Sequence, residues 1–301
     1  MKTTTAAGAP GRNMASVDGQ RIWLGEHGVL LIGYDVEVGG QNGPKPEGTD
    51  KFLPVMAAVH RELKAPCTLF ICGVTLEKYS PTFRPLLGDP LLEFAQHTYA
   101  HLLVKSCVER GREGKFFCQP HASLDELRVD IPHAQEVLAA FTGTRPIGFC
   151  SPWGCACGLL DRWDLVELLS KAGLQYCRTY NRRADGSDLY DLRVDPFWYS
   201  AQGFPEFLEI PMGEPCDVHV RPSVYRTAEA YSKRLDDVLE QTARHNYVFN
   251  YGAHDHSALV DDPEMTCIRR MINRARALGI EILTHGEYYR RCCAVRKVTS
   301  N

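Results

Sequence analysis

Long hydrophobic runs are missing from this 301-residue chain. No apolar stretch reaches the roughly 18 residues that a membrane-crossing helix needs. The opening residues, MKTTTAAGAPGRNMASVDGQ, are small and polar and lack the apolar segment of a secretory leader. A cytoplasmic protein with no transmembrane segment is therefore expected. An excess of charge is missing as well. The formal net charge is −3, which argues against nucleic acid or an anionic membrane as a partner. Internal repeats and low-complexity blocks are absent, so no solenoid or array is expected. Cysteine is not scarce, at twelve residues, but the C-x-x-C pairing of a structural zinc site is. Cys292 and Cys293 are adjacent, and Cys155 and Cys157 are split by one residue. In a chain of this length without a leader, reduced thiols are the expected state.

What is present is an ordinary globular composition, 44 % hydrophobic and 24 % charged, patterned as strands alternating with helices. Val29 to Tyr34, Cys67 to Cys72, Leu91 to Ala95, Pro146 to Cys150, Phe207 to Ile210, Tyr247 to Tyr251 and Ile280 to Leu283 read as short buried strands. Residues 50–63 carry apolar positions at helical spacing. Ser123 and Glu126 form a capping box for a helix running toward Phe141, with a kink or break expected at Pro132. Asp164 to Lys171 is helical and stops before Gly173. Thr227 caps a helix through Arg244, and Asp262-Pro263 opens another that closes at Gly279. Residues 177–204, rich in charge and glycine, read as long loops. Alternating strands and helices imply parallel pairing through right-handed crossovers. The fold class expected is α/β, a closed or nearly closed (β/α) barrel in one domain over residues 23–293. Residues 1–22 are expected as a flexible tail and 294–301 as a C-terminal tail; a doubly wound open sheet is the runner-up.

Four chemistry-bearing segments follow strands: Asp35-Val36-Glu37, His97-Thr98-Tyr99-Ala100-His101, Cys150-Ser151-Pro152-Trp153-Gly154 and His254-Asp255-His256. In a parallel β/α fold the C-terminal ends of the strands open on one rim, where residues far apart in sequence meet. Two histidines at i and i+4 on a helical turn can reach one ion. A carboxylate from the first segment, Glu37 or Asp35, would complete a three-ligand site with room for water. If the chain is extended there, Asp35 and Glu37 face the same side, so that one can bind metal while the other faces water. His254 joins this set. His256 is expected as an exposed loop residue. His27, His60, His121, His133, His219, His245 and His285 are expected to be structural or surface groups.

These segments, in this order, resemble the polysaccharide deacetylase family, also called the NodB-homology family or carbohydrate esterase family 4, over roughly residues 28 to 290. Gln96 to His101 is similar to its His-Ser/Thr-x-x-His metal motif. Tyr34 to Glu37 is similar to its first motif, Thr144 to Gly154 to its third, and His254 to its final histidine motif. The resemblance implies a distorted (β/α) barrel of the NodB-homology type. It also implies hydrolysis of a carbon–nitrogen amide bond, most simply removal of N-acetyl groups from amino sugars. It assigns Asp35 as general base, His254 as the acid, Glu37, His97 and His101 as ligands of one divalent ion, and Pro152 and Trp153 to the substrate. Zinc suits that ligand set, and manganese, cobalt or nickel are compatible. Two departures stand out. Cys150 occupies the place of the family arginine that steadies the aspartate, and no group that orients the last histidine is evident near Cys177 to Ser187. The partner expected is an oligosaccharide or small molecule, with self-association left open. Two other readings compete: hydrolysis of a small amide, formamide or cyclic imide at the same site, and a barrel that binds sugar or metal without catalysis.

Overall fold

Val29 to Val36 is buried along its whole length, as a strand covered on both faces must be, and the rest of the sheet is built outward from it. The structure, a computed structural model, describes residues 14–17, 20–37, 48–110, 115–182, 194–213, 216–217, 225, 227–260 and 262–297. The strands are β1 (Met14–Val17), β2 (Gln20–Trp23), β3 (Val29–Val36), β4 (Cys67–Ile71), β5 (Leu92–Gln96), β6 (Cys107–Arg110), β7 (Phe116–Gln119), β8 (Gly148–Ala156), β9 (Tyr176–Arg182), β10 (Phe197–Tyr199), β11 (Phe204–Glu209), β12 (Val248–His254) and β13 (Glu281–Leu283). The helices are α1 (Gly48–Leu63), α2 (Gly73–Lys78), α3 (Ser80–Phe83), α4 (Leu124–Thr142), α5 (Trp163–Lys171), α6 (Ala228–His245), α7 (Thr266–Ala277) and α8 (His285–Lys297).

The main sheet runs β10-β11-β9-β8-β5-β4-β3-β12, with β13 also on β3. Its pairings are parallel except β10 with β11. Among the described residues β12 and β10 do not pair, so hydrogen bonding does not close the ring. The result is a distorted (β/α) barrel in one domain, as expected. β1 and β2 pair as a hairpin within the segment read as a tail, and α8 continues to Lys297.

Side-chain alternation along each strand sorts residues into two layers. Leu30, Ile32 and Tyr34 of β3, Leu69 and Ile71 of β4, and Phe249 and Tyr251 of β12 pack outward against Phe52, Leu53 and Met56 of α1, Leu235 and Leu239 of α6, and Met271 and Ile272 of α7. Val29 and Leu31, Phe70, Tyr176 and Leu208 form a separate cluster with Tyr288 of α8. Each fully buried Leu or Phe contributes about 1.5–3 kcal/mol by leaving water. Asp35, in step with Leu31 and Gly33, and His254, in step with Asn250 and Gly252, follow the second, inner set.

Four expectations change. α4 carries through Pro132 without a break; Leu127, Ile131, Ala134 and Leu138, buried on both sides of the proline, hold its face to the barrel. α7 begins at Thr266 rather than at Pro263. The Asp262 carboxylate still caps it, accepting from the amides of Thr266 and Cys267 at 2.7 and 2.8 Å. Residues 177–204 are not all loop, since β9 runs through 176–182 as an interior strand between β8 and β11. His97 to His101 is not a helical turn. Thr98 and His101 take left-handed conformations (φ +61° and +58°). The turn is tied down by Asp130 of α4, whose carboxylate accepts from the amides of Tyr99 and Ala100 at 2.8 and 2.9 Å.

Candidate active site

Glu37, His97 and His101 converge just past the ends of β3 and β5. One donor atom from each lies within 4.8 Å of the others. Glu37 Oε2 stands 2.5 Å from His101 Nε2 and 3.4 Å from His97 Nε2. His97 is buried, and its Nδ1–H donates to the Cys150 carbonyl at 3.0 Å. That hydrogen bond sets the ring so that Nε2 is the lone-pair nitrogen facing Glu37, the arrangement a metal-ligating histidine needs. Burial would raise the Glu37 carboxyl, but its contacts with His101 and His97 hold it well below the usual carboxylate range. Burial would likewise lower His97, and the neighbouring Cys150, the Asp35 carboxylate and the Glu37 contact turn the shift upward. Two nitrogens and a carboxylate oxygen pressed together out of water fit a divalent cation.

The backbone of Glu37 is held from the far side of the sequence. Its amide donates to Asp255 Oδ1 at 3.3 Å, and Thr49 Oγ1 donates to Asp255 Oδ2 at 2.5 Å. His256, expected to be exposed, instead has a side chain 17 % exposed, with Nδ1 3.6 Å from Glu37 Oε1. Its position one residue beyond Asp255 explains this: the bond that anchors Glu37 draws the next side chain over its carboxylate.

Asp35 lies beside this cluster in a pocket also lined by Cys150, Trp153, Asn181, Met212 and His254. Its Oδ1 accepts from Arg178 Nη2, while Oδ2 is 3.8 Å from His254 Nε2. Arg178 was passed over in the sequence because β9 was read as loop. It also donates to Cys150 Sγ from Nε and Nη2, at 3.3 and 3.1 Å. Cys150 Sγ, Asp35 and His97 form a second group of donors close enough for an ion. The Arg178 guanidinium already places a positive charge on two of those three, so Glu37, His97 and His101 make the better cation site.

The group that orients the last histidine is Asp217. Its Oδ1 accepts from His254 Nδ1 and its Oδ2 from the His254 amide, both at 2.8 Å, and Ser257 Oγ donates to Oδ2. Burial alone would lower the His254 imidazole. The charge and hydrogen bond of Asp217, then Asp35 and Glu37, outweigh it and raise the pKa to about 10. No spacing pattern links residue 217 to 254, so the sequence carried no signal for the pair.

Between Cys150, opposite Arg178, and Cys155, opposite Tyr180, β8 bulges away from β9. Trp153 and Gly154 are both left-handed there (φ +64° and +59°). The Asn181 side chain lies where a Cβ on Gly154 would go, so only glycine fits. Arg182 Nε donates to the Trp153 carbonyl at 2.9 Å, pinning the bulge. The Trp153 ring lies 5.7 Å from that of His101, which sets an aromatic face next to the cation cluster. Pro152 is in the same bulge but is not among the residues that line the pocket.

Of the histidines set aside, His60 and His285 are buried and internally satisfied. His60 donates from Nδ1 to the Ala65 carbonyl at 2.7 Å, and its Nε2 meets the Tyr34 hydroxyl at 2.9 Å. His285 bonds Thr68 and Asn250. His219 lies outside the described residues. None of the twelve cysteines is joined in a disulfide. No helix among the described residues is long and apolar enough to cross a membrane.

The family model described as polysaccharide deacetylase matches residues 39–177. That span includes His97, His101 and Trp153 but ends before Arg178 and excludes Asp35, Glu37 and His254. No curated protein sequence matches the chain. Similar solved structures include PuuE allantoinase, 13 % identical with a TM-score of 0.65 over 87 % of this chain and 89 % of that one. A protein described as a "probable polysaccharide deacetylase" from Pseudomonas aeruginosa PAO1 is 15 % identical, with the same TM-score and coverage. A carbohydrate esterase family 4 pseudoenzyme from Bacillus anthracis is 13 % identical, with a TM-score of 0.52 over 87 % of this chain and 65 % of that one. Identities this low speak for a shared fold.

Proposed function

We propose, from the match of residues 39–177 to the polysaccharide deacetylase family model and from the site, that the chain is a metal-dependent hydrolase that removes N-acetyl groups from amino sugars. One observation carries this reading. The Glu37/His97/His101 cluster is flanked by a carboxylate held by an arginine, Asp35, and an imidazole held by an aspartate, His254. That is a ligand set, a base and an acid around one point.

Glu37, His97 and His101 would hold a divalent ion, which when bound would supply Lewis acidity toward an amide carbonyl and a water molecule. Zinc suits these donors, with manganese, cobalt and nickel as alternatives. Asp35 takes the proton of the attacking water at Oδ2, the oxygen not engaged by Arg178. The new C–O bond forms as the carbonyl becomes an oxyanion, and the Trp153 backbone N–H is assigned to meet it. His254, kept protonated by Asp217, gives the Nε2 proton to the departing nitrogen as the C–N bond breaks, leaving acetate and an amine. The Trp153 ring offers a flat face for a sugar ring to stack on, next to Pro152.

Hydrolysis of a small amide or cyclic imide by the same groups is the second reading. It is favoured by the sulfur-bearing wall of Cys150, Met212 and Cys216 in the pocket, which gives a compact apolar group a surface to rest on. A non-catalytic barrel loses its main ground, because Arg178 supplies the cation that Cys150 lacks. The test is acetate release from chitooligosaccharides, beside a panel of formamides and cyclic imides, before and after chelation and metal return. Acetate release that disappears with chelator and returns with metal supports deacetylation. Turnover only on the small amides moves the function to the second reading. Tight metal uptake with no turnover on either set would leave a binding protein.

A further inference from the structure

Cys150 of β8 and Arg178 of β9 are direct register partners across a parallel pair. Neighbouring strands lie about 4.8 Å apart. A guanidinium rooted on β9 can therefore reach the point that one rooted on β8 would serve. Arg178 does so from inside the barrel, 2 % exposed, with its guanidinium 4.4 Å from the centre of the Phe70 ring.

The barrel is cut to seat it. Gly33 of β3 and Gly252 of β12 are themselves register partners. A Cβ added to either would lie 2.9 or 3.0 Å from Arg178 Nη1, closer than side-chain carbons and a guanidinium nitrogen settle. Two facing glycines thus leave a slot of guanidinium depth below Asp35. The strand is fixed lengthwise by Glu209 of β11, whose buried carboxylate accepts from the amides of Thr179 and Tyr180 at 2.7 and 2.9 Å. A buried ion pair is by itself weak support for stability, because desolvation offsets attraction. A glycine-lined seat, a register match and a bond to a single carboxylate oxygen are better accounted for by orientation.

We propose that Arg178 is the positioning residue for Asp35: it anchors Oδ1 so that Oδ2 faces His254 and the cation cluster, with Cys150 reduced to a filler that accepts two of its N–H groups. The hydrolytic consequence rests on the proposed function; the positioning itself does not. The test uses the full-length protein loaded with zinc, comparing Arg178→Lys, Arg178→Met and the relocated pair Arg178→Cys with Cys150→Arg. Crystal structures of the parent and Arg178→Met give the orientation of Asp35, and metal analysis gives occupancy of the cluster. Kinetics on whichever amide the parent hydrolyses separate kcat from KM.

In Arg178→Met we expect the Asp35 carboxylate to rotate off its parent orientation while zinc remains bound. We expect kcat to fall about 100-fold or more, the lower end of what a positioned base contributes, with KM within about threefold of the parent. The relocated pair restores at least a tenth of the parent kcat, and Arg178→Lys is intermediate. An unmoved Asp35 in Arg178→Met, or a relocated pair no better than Arg178→Met despite a folded, zinc-loaded barrel, overturns the assignment. A rotated Asp35 in Arg178→Met, with a parent that hydrolyses no amide, upholds the positioning and removes the hydrolase reading instead.

Discussion

Replacing Asp217 by asparagine strips one charge from the His254 pair and leaves its shape. The amide oxygen of Asp217→Asn can still accept from His254 Nδ1, now 2.8 Å from the carboxylate, so the ring loses its counter-charge but keeps that bond, while the amide NH2 replaces the oxygen that accepts from the His254 backbone N–H and gives up that bond at every pH. In the parent the imidazole is raised from 6.5 to about 10. At about 1.4 kcal/mol per pH unit that rise corresponds to roughly 5 kcal/mol. The imidazole is 18 % exposed, and screening reduces this to about 2–3 kcal/mol. The sign follows from linkage. A histidine whose folded pKa lies above its unfolded value contributes fully below about pH 6.5 and loses that contribution as pH rises toward 10. The stability gap between parent and Asp217→Asn should therefore be widest below pH 6.5 and narrow above pH 10 to the constant cost of the lost backbone hydrogen bond, by urea unfolding of the metal-free proteins at several pH values. With the acid deprotonated near neutrality, the variant's turnover at pH 7.5 should fall about 100-fold and recover in part toward pH 5.5, with metal content unchanged. NMR titration of the His254 ring checks the cause directly. A ring that still titrates near 10 without Asp217, or a stability gap that does not vary with pH, would refute the assignment of Asp217 as the source of the shift.

His97→Ala should leave the fold intact by circular dichroism but reduce bound metal below a tenth of parent stoichiometry and abolish turnover, because it removes the best-buried nitrogen of the cluster; full metal content would take His97 out of the site. His256→Ala should weaken metal affinity about 10- to 100-fold, as loss of an outer partner of a ligand does, measured by competition with a chromophoric chelator; unchanged affinity would make its approach to Glu37 incidental. Burial lowers His60 to about 4, so the parent should lose up to roughly 3 kcal/mol as pH falls from about 6.5 to 4. His60→Gln should flatten that slope in urea titrations, and an unchanged slope would assign the acid sensitivity to another group.

How far the sequence could be read depended on whether a residue's role was local. The unbroken apolar run Val29 to Tyr34 was enough to mark β3, whereas the face that Asp35 takes depends on the packing around the strand. The capping box at Ser123, the Thr227 cap and the Gly279 stop are bonds between near neighbours, and each is where its spacing put it. β9 was hidden because Arg178, Thr179, Asn181 and Arg182 make it look like exposed loop. Arg178, Thr179 and Arg182 are buried because each meets a partner from another strand, and composition cannot register a partner that distant. The turn after β5 was misread for a related reason: Asp130, thirty residues on, satisfies its amides better than a helical turn would.

The sequence by itself determined the alternation of elements, the parallel barrel and the set Asp35, Glu37, His97, His101 and His254, since strand ends in such a fold share one rim. Only the tertiary structure decided which carboxylate sits with the histidines, that Arg178 reaches both Asp35 and Cys150, and that Asp217 and His256 stand against His254 and Glu37. Those contacts join residues on different strands and loops, and the register between strands is a property of the packed barrel that no local pattern encodes.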